Sequence, residues 1–104
     1  MQSRFHDAAD AELLEAISYY DAKVQGLGDR FLAEVMAATK YIERYPEIAP
    51  VIEEEEGVRA KVLDRFPYTL MYTVNDDELF IVAVAHQSRR PTYWADRLPP
   101  RSFS

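Results

Sequence analysis

Arg59, Lys61 and Arg65 stand at every second position or nearly so, and further on His86 precedes Arg89-Arg90-Pro91-Thr92-Tyr93-Trp94 and Arg97. Residues two apart in an extended strand lie roughly 6.7 Å from each other, a spacing that suits successive phosphates or acidic side chains. A strand guarded by basic residues against edge pairing explains the three cations equally well. A histidine among arginines has the parts of a general acid or base with cationic stabilisers. A lone histidine at a strand end is more commonly a hydrogen-bonding residue of the sheet rim. Tyr93 and Trp94 cover sheet surface, or stack bases beside the arginines.

Other chemistries lack their residues. The chain has no cysteine, which excludes disulfides and thiolate zinc sites. His6 and His86 alone do not make a metal site. The run Glu53-Glu54-Glu55-Glu56 aims adjacent carboxylates in different directions and reads as an exposed, mobile loop rather than a cation site. No nucleophile–histidine–carboxylate pattern, phosphate loop or dinucleotide fingerprint is present, and no cofactor is expected.

The elements that must position these residues follow from periodicity. Asp7 is the expected N-cap of a helix whose apolar stripe is Ala9, Leu13, Ala16, Ile17, Tyr20 and Val24. Gly26-Leu27-Gly28 ends it. A second stripe, Phe31, Val35, Ala38, Ile42 and Tyr45, stops at Tyr45-Pro46, because proline pushes its predecessor out of the helical region. Residues 46–57 read as a connector. The period then changes from 3.6 to 2, predicting strands over Val58–Leu63, Tyr68–Val74 and Leu79–His86, with Asn75-Asp76-Asp77-Glu78 as a turn. A short first strand around Gln2–Phe5 is weakly signalled.

The fold class is therefore α+β, a helical hairpin on a small antiparallel sheet, in a single domain over 1–104. Leu13, Ile17, Phe31, Val35 and Ile42 are expected to meet Val82 or Val84. If Val58, Ala60 and Val62 face the helices, Arg59, Lys61 and Arg65 line the far side. Leu79–Ala85 is apolar on both faces and needs a second cover. Tyr93 and Trp94 supply part of it, leaving a groove flanked by Arg59, Lys61 and Arg65.

The 104 residues carry 12 Lys/Arg against 18 Asp/Glu, a net charge of −6 that argues against a general nucleic-acid binder. Residues 1–57 hold 5 Lys/Arg and 13 Asp/Glu; residues 58–104 hold 7 and 5. This asymmetry fits two faces with different partners, or simply a solvated acidic helical surface. No apolar run reaches the ~20 residues of a membrane helix, and no signal-peptide core opens the chain. The expected setting is soluble and cytoplasmic.

Ala16 with Tyr19-Tyr20, Gly26-Leu27-Gly28, Phe31, Val58-Arg59, Phe66-Pro67-Tyr68, Tyr72 and Ala83-Val84-Ala85-His86 occur in an order that resembles the ParE/RelE superfamily of toxins. Those toxins belong to type II toxin–antitoxin modules. Arg89, Arg90, Pro91, Tyr93, Trp94 and Arg97 complete a span of about residues 5–97 closest to the ParE-like, plasmid-stabilisation branch. The resemblance implies a bacterial toxin bound by a short antitoxin as a hetero-oligomer, acting by protein binding, with DNA gyrase as a target and no catalytic centre. Arg59, Lys61 and Arg65 are then the antitoxin-binding residues. The alternative is a RelE-like, ribosome-dependent mRNA endonuclease, in which His86 transfers a proton while Arg59, Lys61, Arg65 and Arg89 stabilise phosphate charge. A third reading is a non-toxic binding domain that keeps only the fold. Ribosome-dependent members are usually basic, so the charge of −6 favours protein binding.

Overall fold

His6 opens the first helix. In the computed structural model, which describes residues 1–98, its Nδ1 accepts the Ala8 N–H at 3.0 Å, so the cap falls one residue before the expected Asp7. Positions 99–104 of the expected domain lie outside the described residues. Helix α1 runs Asp7–Lys23, with Asp7 and Asp10 in the first turn, where the helix dipole favours negative charge. It buries Ala9, Leu13 and Ala16, while Val24, the last residue of the expected stripe, is an exposed C-cap.

Helix α2 runs Leu27–Arg44 and buries Phe31, Val35, Ala38 and Ile42 as the stripe predicts. Of the two glycines between the helices only Gly26 is left-handed, at φ 87°, and makes the break. Gly28 is already helical and serves contact. A Cβ there would sit 2.5 Å from the Ile17 carbonyl oxygen, and its N–H donates to Asp21 at 2.7 Å. The helix ends at Arg44, before Tyr45-Pro46.

Five strands form one sheet in the order β1-β5-β4-β3-β2: β1 Gln2–Phe5, β2 Val51–Glu53, β3 Val58–Val62, β4 Tyr68–Asn75 and β5 Glu78–His86. The N-terminal strand is present and runs parallel to β5; the other pairings are antiparallel. Strand β2 corrects the reading of residues 46–57 as connector alone. The acidic run is also no free loop: the Glu53 carboxylate accepts the Glu55 and Glu56 N–H groups at 2.9 and 2.7 Å.

A bulge sets the two faces of the sheet. Met71 pairs with Ala83 but Tyr72 pairs with Ile81, so Val82 is an extra residue in β5. Leu79, Ile81 and Val84 face the helices, in one core with Leu13, Phe31, Val35, Ile42, Leu70 and Tyr72. Phe80, Val82, Ala83 and Ala85 face the other way with Val58, under Trp94, which is 2% exposed. Val84, not Val82, therefore meets the helices, and the C-terminal segment provides the expected second cover.

The sides of β3 are the reverse of the expectation. Arg59 pairs with Tyr72 and Lys61 with Leu70, both in the helix-side core, so these cations face the helix layer. Val58 belongs to the opposite core, and Val62 stands 53% exposed. The physical reason is that Val58 packs into the far-side cluster with Trp94, whereas the connector from α2 offers carbonyl acceptors to Arg59 on the helix side.

Candidate functional site

The expected cation groove flanked by Arg59, Lys61 and Arg65 does not form. The Arg59 guanidinium donates to the carbonyls of Glu47 and Ala49 at 3.1 and 2.7 Å, tying the connector to the sheet. The Lys61 ammonium stands 5.8 Å from the Tyr41 ring centre, against α2. Arg65 lies in the turn after β3, beside a cavity walled by Tyr20, Leu27, Arg30 and Phe66. That turn is fixed by Glu34, which accepts the Asp64 and Arg65 N–H groups at 2.7 and 3.1 Å.

His86 and Arg89 are brought together. With Tyr93 they border two cavities of about 360 and 330 Å³. The first is a groove on the far face of the sheet, lined by Thr69, Met71 and Ala85 together with Ile52, Pro91 and Trp94, with Arg89 and the exposed Arg90 beside it. The second lies between α1 and the sheet end and is lined by Glu12, Glu15, Tyr19 and Tyr68. His86 Nδ1 accepts the Ser88 N–H at 3.0 Å and lies 2.8 Å from the Ser88 hydroxyl. The ring meets Tyr68 edge-on at 5.1 Å. The arrangement combines apolar grip with a cationic rim and holds the imidazole in a rim hydrogen bond.

The strongest polar cluster centres on a residue with no candidate role in the sequence reading, Glu12. Its carboxylate takes a two-pronged bond from Arg97 at 2.9 and 3.1 Å, the Tyr93 hydroxyl at 2.6 Å and the Val84 N–H at 3.0 Å. Arg97 also donates to the Val82 carbonyl at 3.2 Å. Strand β1 gives way to α1 after His6, whose N–H makes the last of its bonds, to Ile81. Glu12 and Arg97 thus satisfy the backbone of β5 beyond the end of its neighbour. Tyr93 is held between Arg89 and Arg97, with their guanidinium carbons 4.1 and 5.0 Å from its ring centre. Burial, then the hydrogen bond and charge of Glu12, hold the Tyr93 phenol well above the ordinary tyrosine range. The bond to Glu12 in turn raises Arg97. Glu12 was hidden because it falls outside the apolar stripe of α1 and its partner lies 85 residues away; the only signal was a carboxylate on a helix and an arginine after an aromatic pair.

A family model described as the ParE toxin of type II toxin–antitoxin systems matches residues 4–91, most of the chain. The chain belongs to the ParE toxin family. Toxin ParE2 from two Mycobacterium tuberculosis strains, CDC 1551 / Oshkosh and H37Rv, is 29% identical over 102 residues, covering 96% of this chain and 94% of the relative. Among solved structures, a chain of the chromosomal ParDE TA system from P. aeruginosa shares the fold at a TM-score of 0.61 and 20% identity. That likeness covers 83% of this chain and 95% of the other. The span matched by the ParE family includes β5, His86 and Arg89; Glu12 lies inside it, and Tyr93 and Arg97 beyond it. Among the described residues, no helix is long and apolar enough to cross a membrane.

Proposed function

We propose that this ParE-family chain acts by binding proteins: a cognate antitoxin restrains it, and DNA gyrase is its target in the cytoplasm. The observation that carries the reading is that Arg59 and Arg65 lie apart from His86 and Arg89, the two nuclease candidates that do meet. Arg59 is tied to backbone carbonyls at the Tyr72 level of the sheet, four residues along β4 from Tyr68, the partner of His86. Arg65 sits in another turn, and Tyr93 and Arg97 are bound to Glu12. Phosphoryl transfer needs its acid, base and charge stabilisers around one reacting atom. Of the three cations expected to hold the antitoxin, Lys61 and Arg65 serve at separate places, and Arg59 acts through the connector it fixes. The groove beside Arg89 and Arg90 takes over as the apolar, cation-rimmed seat for an acidic segment.

The test pairs two assays on the purified chain. Gyrase supercoiling is expected to be inhibited, and the His86→Ala variant is expected to inhibit equally. In a translating extract, messenger RNA is expected to remain uncut. Codon-register cleavage lost on changing His86 or Arg89 would replace this reading with the RelE-like one, which the meeting of His86 and Arg89 favours. Growth unaffected by expression without the antitoxin would point to a binding domain that has kept only the fold.

A further inference from the structure

The cavity of about 330 Å³ between α1 and the sheet end has an outer wall that neither the groove nor the Glu12 cluster uses: Glu15, Tyr19 and Tyr68. Tyr19 is 55% exposed, and Glu15 is exposed with no ion pair among the described residues. The rings form a series. Tyr19 meets Tyr20 edge-on at 5.3 Å, and Tyr20 meets Tyr68 at 6.2 Å. Tyr20 itself packs on the core with Phe31 and Phe66, so both outer rings stand on a fixed base. Aromatic side chains held in place around a cavity are the commonest anchors of protein interfaces.

The field in this cavity has a direction. At one end the Arg89 guanidinium lies over the Tyr93 ring, on the border with the groove. There the phenol, raised by burial and Glu12, is partly lowered by Arg97 and Arg89. At the other end burial raises the Tyr68 phenol, and Tyr20, Tyr19, Glu12 and Glu15 raise it further. The helix alongside carries Asp7, Asp10, Glu12, Glu15 and Asp21 against Lys23 alone. Tyrosine rings here already hold cations: the Lys23 ammonium is 5.2 Å from the Tyr19 centre, and Tyr93 lies between two guanidiniums. The Tyr19–Tyr68 end suits a positive guest and repels a phosphate backbone.

We propose that the end of this cavity walled by Glu15, Tyr19 and Tyr68 seats an arginine or lysine side chain projecting from a basic surface of the target protein. This rests on the target reading above. An enzyme that handles DNA neutralises its phosphates with lysine and arginine, so a gyrase carries surface of that charge. The guest cation packs on the rings and meets the Glu15 carboxylate. His86 is engaged by Ser88, and Arg89 by Tyr93, so neither is part of this seat.

The experiment compares the parent chain with Tyr19→Ala and Glu15→Lys, two exposed positions, in supercoiling by purified gyrase holoenzyme and in binding to the protein encoded by the adjoining open reading frame. Each variant is expected to need about tenfold more protein for equal inhibition, the scale of one lost ring or charge contact, while its antitoxin affinity stays within about twofold. Thermal melts matching the parent exclude misfolding. Inhibition unchanged in both variants overturns the seat and leaves the target reading standing. Inhibition lost in Tyr19→Ala but kept in Glu15→Lys overturns the basic guest. Antitoxin affinity falling as far as inhibition assigns the cavity to the antitoxin and overturns the proposal. A parent chain that leaves gyrase fully active overturns both readings.

Discussion

Replacing Glu12 with alanine removes the acceptor of four hydrogen bonds at once and strands three donors: the Arg97 guanidinium, the Tyr93 hydroxyl and the Val84 N–H. The Arg97 and Glu12 side chains are 13% and 15% exposed, so the pair is largely desolvated. Breaking a buried pair costs about 3–5 kcal/mol, and each unsatisfied buried donor about 1–3 kcal/mol. These costs overlap, and the cavity beside Glu12 admits water to the orphaned groups, so we expect a net loss near the bottom of the first range, about 3 kcal/mol. Unfolding entropy of about 2.1 cal/mol/K per residue converts this to a fall in Tm of roughly 14 °C for a chain of this length. Glu12→Gln keeps an acceptor for Val84 but loses the charge, and is expected to cost about half as much. Thermal unfolding followed by circular dichroism gives the magnitude. The single tryptophan, Trp94, reports the site, because its emission shifts to the red if the segment holding Tyr93 and Arg97 lifts away. A double-mutant cycle with Arg97→Met isolates the pair. A Tm within about 3 °C of the parent for Glu12→Ala, with Trp94 emission unchanged, would refute the reasoning.

Phe31→Ala is expected to cost about 3–5 kcal/mol, because Phe31 is fully buried with Phe66 and Tyr68 rings 5.0 and 4.9 Å away; the shift in denaturation midpoint measures it. Gly28→Ala is expected to cost about 1–3 kcal/mol by forcing the helices apart, since the new Cβ would overlap the Ile17 carbonyl and Asp21; urea unfolding checks it. Stability is expected to fall as pH rises past the ordinary tyrosine value near 10. Tyr93 binds its proton more tightly folded than unfolded, so its contribution is full below that pH and is lost as pH climbs toward the raised folded value. Tyr72, raised by burial, acts in the same direction, so Tyr93→Phe should flatten the alkaline decline without abolishing it, as read by melts at successive pH values.

The two helices and the three-stranded meander were legible because each apolar stripe keeps one period for many residues. Phe31, Val35, Ala38 and Ile42 had a single consistent reading, and all four are buried. Strand β2 was illegible: three residues between Pro50 and the glutamates carry no alternation, and its existence depends on β3 being there to pair with. The far side was misassigned because alternation reveals that a strand has two faces but not which layer each will meet. Arg59 chose the helix side through carbonyls at Glu47 and Ala49, groups that no side-chain pattern can show. For the candidate site, His86 and Arg89 were close in sequence and stayed close in space. The convergence of Glu12 with Arg97 depends on β1 ending where it does, which leaves Val82 and Val84 in need of side-chain partners.

The parallel pairing of β1 with β5 also sets a timetable. Gln2 waits for Glu78, and Glu12 waits for Arg97, so β1 and α1 find these partners only once β5 and the segment after it have been synthesised. At roughly 5–20 residues per second that interval is about 4–15 s, during which the helical hairpin can form but β5, the partner of β1, does not yet exist. Such long-range closure is slow relative to local helix formation. A nascent ParE-family chain of this design therefore holds a helical hairpin with a loose leading strand until β5 arrives, and acquires the groove beside Arg89 only after that. A partner that recognises the groove beside Arg89 finds it only once β5 is in place.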